Sequence, residues 1–434
     1  MSELPDRVTG DATGLAIPAH PDALRAGGAA FLTAAFRAGG ALAATDEVAE
    51  VLHAEDCEGG STGRKMRLSV RYGRGDNGLP TRLFVKFSRD FTDPIRDRAC
   101  IQMESEVRMA RLSQLPGFPV VVPRCLFADY QAATGTGILI VAEVRFGEGG
   151  IEPHHEKCLD TGLADPLGHY RALVRANARL AGTHRAGGFP AEAIAPLADA
   201  AGSLDVSARA PYSAEQLSRR IERLREFAAA YPQLLPAELR DPAFLDRFAA
   251  EAPRFCGHEA AIAAALDGNR ACNALCHWNA NIDNAWFWRD QSGELACGLL
   301  DWGNARVMNI GVALAGSLMA AEADFLVEHL PGLVEDYAAE FAVTCGETLD
   351  PGELMQQLFL HNACSGLLWL IDAPTMIARA FPGLEQVSSR FDPAFRGNEF
   401  VRNQLQMLTN FLTLWRHFEF GAVLDRFLEP AATL

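Results

Sequence analysis

Two short stretches constrain this chain more than any other. Residues 275–287 read Leu-Cys-His-Trp-Asn-Ala-Asn-Ile-Asp-Asn-Ala-Trp-Phe and crowd His277, Asn279, Asn281, Asp283 and Asn284 between apolar residues. Residues 298–302 read Gly-Leu-Leu-Asp-Trp, an apolar strand that ends in Asp301 and Trp302. An apolar strand that delivers a carboxylate to an irregular polar loop is a common way to build a magnesium or phosphate site. The same residues also fit a plain hairpin with a polar turn and a capping aspartate, and periodicity alone leaves the two readings even.

The chain has 434 residues, enough for two lobes with sizeable cores. No stretch approaches the roughly 20 apolar residues of a membrane span. The N-terminus, Met1-Ser2-Glu3-Leu4-Pro5-Asp6, lacks the basic-then-apolar pattern of a signal peptide, so the expected location is cytoplasmic. Ten cysteines are scattered without a Cys-x-x-Cys pair, which suits reduced thiols. Cys272, Cys276 and His277 lie close together, but no second ligand pair stands nearby, so buried thiols are expected there rather than a metal site. A formal net charge of −16 argues against nucleic acid and anionic membranes as partners, and suits a cationic or neutral small substrate.

Residues 1–20 are punctuated by Pro and Gly and read as a partly ordered lead-in, followed by helical spacing over residues 22–44. Residues 48–53 open a first strand. Residues 58–65, Glu-Gly-Gly-Ser-Thr-Gly-Arg-Lys, form a small-residue turn before the alternating strand 66–72, which together predict a hairpin. A third strand, 81–87, carries Lys86 inside an apolar run, as an edge residue or as a buried, paired one. Residues 98–115 are helical and carry Glu104 and Glu106, which point to nearly opposite faces. A Pro-bounded connector, 118–125, leads to a fourth strand. The fifth, 137–143, is apolar until Glu143, and Gly147, Gly149 and Gly150 follow in a loop. Helical patterns then run over 166–187, 215–231, 241–266, 310–330, 354–377 and 399–428. His184, at the end of the first of these, is expected to pack in the core.

The pair of stretches resembles the catalytic and metal loops of the aminoglycoside phosphotransferase and choline-kinase-like superfamily, and is most similar to its ecdysteroid-kinase-like branch. That family writes His-Gly-Asp, four residues, Asn, and later an apolar strand ending in Asp-Trp. His277, Asn284, Asp301 and Trp302 match. The resemblance implies an α+β, protein-kinase-like fold of two lobes: a small antiparallel-sheet lobe over residues 48–146 and a larger, mainly helical lobe over 147–434, with 1–47 as an N-terminal extension. It implies a phosphotransferase that uses ATP and Mg²⁺ on the hydroxyl of a small molecule. Gly60, Ser61 and Thr62 would lie over the nucleotide phosphates, Lys86 would hold them, Glu106 would fix Lys86, and the strand ending at Glu143 would lead to the adenine. Asn284 and Asp301 would bind Mg²⁺, with His277 and Asn279 in the catalytic loop. The helices of 215–231 and 241–266 would surround the acceptor.

Two departures stand out. The family's Gly and Asp are replaced by Trp278 and Asn279, and Asn cannot take a proton at neutral pH. Asp283, the nearest acid in sequence, adjoins Asn284 and is expected to point away from the line of transfer. Relatives also carry a bracing Asp some ten residues after Asp-Trp, where this chain has Met308-Asn309-Ile310-Gly311-Val312-Ala313. The alternative function is therefore a pseudokinase that binds nucleotide or a small ligand and transfers no phosphate.

Overall fold

A computed structural model describes residues 5–57, 59–60, 62–75, 77–198 and 212–429. The chain divides into two compact units. The first comprises Met1–Pro153, Gly187–Leu204 and Gly298–Arg306; the second comprises His154–Ala186, Asp205–Cys297 and Val307–Leu434.

The first unit opens with a small hairpin, β1 (Arg7–Thr9) and β2 (Ala16–Pro18), and a helix, α1 (Pro21–Ala38). Three strands follow: β3 (Val48–Cys57), β4 (Arg64–Tyr72) and β5 (Arg82–Phe87). After a short helix α2 (Pro94–Asp97) and the longer α3 (Gln102–Leu112) come β6 (Cys125–Gln131) and β7 (Thr136–Ala142). The five longer strands form one antiparallel sheet in the order β3-β4-β5-β7-β6.

Strand alternation gives this sheet two working faces. Met66, Leu68 and Val70 of β4, Leu83, Val85 and Phe87 of β5, and Ile138 and Ile140 of β7 turn to one side. There they pack with Leu24, Phe31, Leu32 and Phe36 of α1. The intervening residues turn to the other side, where Leu139 meets Met103 and Val107 of α3. Lys86 sits between Val85 and Phe87, so the same alternation sends it to the α3 face.

Within the lead-in, residues 7–18 are ordered as a hairpin. Val8 and Ile17 of the hairpin are buried in the α1 core. Asp129 of β6, fully buried, accepts from the backbone N–H groups of Ala12 (3.2 Å) and Thr13 (3.0 Å) and from the Thr13 hydroxyl. Pro and Gly punctuation marked turns here correctly, but the carboxylate that orders them lies more than a hundred residues along the chain. Residues 187–204 and 298–306 also belong to this unit, which the boundary expected near residue 146 did not provide for.

The second unit is mainly helical. Its long helix α4 (Pro166–Arg185) precedes α5 (Ala191–Ala198), which belongs to the first unit; α6 (Ala214–Ala230) and α7 (Pro242–Gly268) follow. Strands β8 (Asn273–His277) and β9 (Ala285–Arg289) belong to the second unit, whereas β10 (Leu295–Leu299) and β11 (Ala305–Asn309) each lie partly in the segment Gly298–Arg306 of the first unit. The remaining helices are α8 (Ile310–Leu318), α9 (Ala323–Cys345), α10 (Pro351–Trp369), α11 (Ala373–Ala380), α12 (Glu399–His417) and α13 (Phe420–Leu428). Trp415 of α12, fully buried among Phe248, Phe255, Phe411 and Phe420, centres an aromatic core. Its indole N–H is satisfied by Glu251 at 2.7 Å. The expected α+β organisation, with a small antiparallel sheet in one unit and a larger helical unit, is what the structure has. Among the described residues no helix is long and apolar enough to cross a membrane.

The hairpin's dependence on one buried carboxylate is testable. Asp129→Ala leaves the Ala12 and Thr13 donors without their acceptor and should cost about 3 kcal/mol. Urea denaturation should show the shift, together with easier proteolysis before residue 20; an unchanged midpoint would mean that the hairpin docks through Val8 and Ile17 alone.

Candidate functional site

In the first unit three charged groups converge. The Lys86 ammonium donates to Asp301 Oδ1 at 2.7 Å and also bonds Glu106 Oε1. Each partner arrives for a local reason. Glu106 is three residues from Met103 and one from Val107 on the sheet-facing side of α3, whereas Glu104 points outward and pairs with Arg108 one turn on. Asp301 follows β10, whose end is held to the connector before β6: Gly298 bridges Val121, and the Leu299 N–H donates to the Val121 carbonyl at 2.9 Å. Asp301 itself is left-handed (φ 65°, ψ 62°), a conformation that Asp tolerates better than most residues but still at a cost. That turn swings the carboxylate toward Lys86, and Gly303 then lies so close to α3 that a Cβ there would be 3.1 Å from Gln102 Cβ.

The electrostatics follow from burial. Enclosure is the largest single influence on Lys86 and disfavours its charge, yet Asp301 and Glu106 together more than offset it, so its pKa is raised. Lys86 is therefore a fixed positive charge at neutral pH. Glu106 is pushed up to about 7, first by burial and further by the Asp301 carboxylate, against the pull of Lys86.

The glycine-rich turn joins β3 to β4 beside this triad. Gly60 and Thr62 are described; Ser61 lies outside the described residues. Gly63, at φ 47°, passes so near the end of β5 that a Cβ would sit 1.8 Å from the Phe87 carbonyl oxygen. Thr62, Lys86, Ser88, Gln102 and Glu106 line a small hollow between turn and helix. Glu143 is engaged differently from the expectation. Its carboxylate accepts from Arg67 Nε (2.9 Å) and Arg82 Nε (2.7 Å), and its N–H donates to the Arg82 carbonyl at 3.0 Å, so the residue laces the sheet. Two cations escaped notice in the sequence: Lys65 of β4 and Arg96 of α2 both donate to the Gly59 carbonyl, at 3.0 and 3.1 Å. The pairing register sets Lys65 directly opposite Lys86.

In the second unit the loop after β8 is self-braced. Asn284 Nδ2 donates to the Asn279 carbonyl at 2.8 Å, which orients its amide and leaves Oδ1 as the atom a metal would take. The Asn281 amide meets the Asn279 amide at 2.7 Å with one end and donates from the other to the Ser317 and Gly316 carbonyls of α8, at 3.2 and 3.3 Å. His277 is fully buried, and its carbonyl accepts from the Ser317 hydroxyl at 3.4 Å. Asn309 caps α8 by accepting from Val312 N–H at 3.2 Å. Trp278 packs on α8 at Gly316, where a Cβ would be 2.4 Å from its Nε1. The bulky Trp278 is thus matched by a missing side chain on the helix behind it. The Asp283 carbonyl oxygen lies 2.9 Å from His154 Nε2. Burial pushes the Cys276 thiol up to about 12 and raises Cys272 as well, so neither is a ready metal ligand. His184 is half-buried in the last turn of α4, and enclosure lowers its pKa.

No family model matches the chain, and no curated protein matches it in sequence. Solved structures do match in fold. A choline kinase from Cryptosporidium parvum Iowa II is 13% identical with a TM-score of 0.40, over 86% of this chain and 91% of that one. An aminoglycoside phosphotransferase from Alicyclobacillus acidocaldarius is 14% identical with a TM-score of 0.38, again over 86% and 91%. A spectinomycin phosphotransferase, solved with ADP and spectinomycin, is 11% identical with a TM-score of 0.38, over 88% and 91%. Identities this low and scores this small leave the functional reading to the residues themselves.

The triad makes a definite electrostatic statement. Lys86 lowers the pKa of Glu106, so Lys86→Met should raise it above about 7, read from the carboxyl carbon by NMR titration; a fall would mean the two groups are not in contact. The folded protein holds the Glu106 proton more tightly than the unfolded chain does. This group therefore favours the fold at low pH, and the contribution is lost as pH rises from the ordinary carboxyl range through about 7. Glu106→Gln should flatten that part of the stability profile.

Proposed function

We propose that the protein is an ATP- and Mg²⁺-dependent phosphotransferase acting on the hydroxyl of a small molecule. The observation that carries this reading is the Lys86 ammonium held between Glu106 and Asp301 beside a glycine-rich turn. Phosphoryl transfer needs positioning and charge neutralisation more than covalent chemistry, and a permanently charged, rigidly held lysine supplies the second of these. The donor chemistry of the proposed metal ligands fits Mg²⁺, which takes hard oxygens: the Asp301 carboxylate and the Asn284 amide oxygen. When bound, Mg²⁺ would neutralise phosphate charge. His277, enclosed in the core, would hold the loop in shape rather than meet the substrate.

Asn279 is where the reading departs from general-base catalysis. Its side chain can orient an acceptor hydroxyl by hydrogen bonding but cannot take the proton. The loose transition state of phosphoryl transfer makes late proton loss tolerable, so a slow enzyme is expected rather than an inert one. The net charge of −16 suits a cationic or neutral acceptor.

Calorimetry with MgATP and ATP-consumption assays across a panel of hydroxylated small molecules test the proposal. Asn279→Asp should raise turnover by about 10²-fold, within the usual range for a general base, while nucleotide affinity barely moves. Asp301→Ala should abolish Mg²⁺-dependent nucleotide binding. Binding without turnover on any acceptor would transfer the protein to the non-catalytic class; unchanged binding in Asp301→Ala would defeat a metal-nucleotide site altogether.

A further inference from the structure

Lys65 and Lys86 are direct register partners on β4 and β5, and both point to the α3 face of the sheet. Like charges placed directly opposite each other on a sheet repel. Both nearby carboxylates, Glu106 and Asp301, bond Lys86. Among the described residues Lys65 makes no ion pair. Its ammonium donates instead to the carbonyls of Gly59 (3.0 Å) and Thr62 (3.4 Å), on the inner side of the glycine-rich turn. Arg96 donates to the same Gly59 carbonyl and has only a 3.6 Å contact with Asp90 as a counter-charge. Gly60 fits over Lys65 so closely that a Cβ would be 2.1 Å from its Nζ.

Three cations thus surround one turn, and among the described residues one of them, Lys65, is half-buried without an anion of its own. Burial, then the charge of Lys86, pull Lys65 down to about 8. Such an arrangement is unfavourable in isolation and becomes favourable when an anion enters.

We propose that Lys65 is a second ligand-binding cation, which with Arg96 takes the non-transferred phosphates of a nucleoside polyphosphate while Lys86 takes the adjoining one. This rests on the phosphotransferase reading and adds to it a residue outside the Lys86 triad. The side chain trades weak bonds to neutral carbonyls for charge-assisted bonds to phosphate oxygens, and the bound anion restores its proton affinity. Among the described residues the charged groups acting on Lys65 are Lys86 of β5, Asp301, Arg96 of α2 and Glu106 of α3. On its own strand Arg64 and Arg67 are committed to Asp56 and Glu143. Above pH 7.5 Glu106 is largely ionised and Lys86, raised above its ordinary value, does not titrate, so Lys65 is the group that changes.

The test is calorimetry on the full chain with ADP, inorganic tripolyphosphate and adenosine. Lys65→Met should weaken ADP and tripolyphosphate by about tenfold or more at pH 7.5 and leave adenosine unchanged. Wild-type affinity for ADP should fall by roughly tenfold between pH 7.5 and 9.5, as the free protein loses the Lys65 proton. Lys65→Arg should keep the affinity and remove that fall, which a merely structural lysine would not do; thermal melts establish that both variants fold. Unaltered ADP binding in Lys65→Met, or the same fall in Lys65→Arg, overturns the inference while the phosphotransferase reading stands, provided that Lys86→Met has lost binding. Failure of the wild type to bind either ADP or tripolyphosphate overturns both.

Discussion

A buried ammonium cannot exist alone, and much of the first unit is organised so that Lys86 does not. Taking such a charge out of water costs several kcal/mol unless partners of opposite sign are fixed in place. Glu106 is fixed by the packing of Met103 and Val107 on the sheet, and Asp301 by a left-handed turn anchored through β10 to Val121. Neither carboxylate could serve if the strand alternation slipped by one residue, because Lys86 would then enter the apolar α1 core. The register of β5, the rotation of α3 and the close approach of Gly303 to Gln102 are thus three parts of one electrostatic requirement.

Much of this was legible in the sequence. The apolar run around Lys86 and Asp301 at the end of an apolar strand are local patterns; helical geometry says that only one of Glu104 and Glu106 can face Lys86, and the family resemblance names Glu106. What escaped the sequence is non-local. Asp129 orders the N-terminal hairpin across more than a hundred residues, and Glu143 is claimed by arginines from two other strands. Lys65 went unassigned because its meaning depends on a pairing register, which a one-strand reading does not contain. Ser61 lies outside the described residues and has no structural counterpart here.

The second unit shows how a polar loop keeps its shape with amides: Asn279, Asn281 and Asn284 bond one another or the loop backbone, and Asn309 caps the helix behind. Amides donate and accept at once, so they close a network without any counter-ion, and the network is insensitive to pH across the neutral range. Trp278 and Gly316 compensate one another by volume: the large ring fills the space that the missing side chain leaves.

The first unit is also discontinuous, since Gly298–Arg306 belongs to it although Pro153 ends its first long segment. During synthesis the sheet can assemble once β7 has emerged, but Lys86 must then wait for some 150 further residues before Asp301 exists. Over that interval Glu106 is its one strong counter-charge, and the strip beside Val121 that β10 will occupy stands open to solvent. A first segment severed at residue 153 would lack Asp301 and the strand end beside Val121, which makes it a poor object for separate expression.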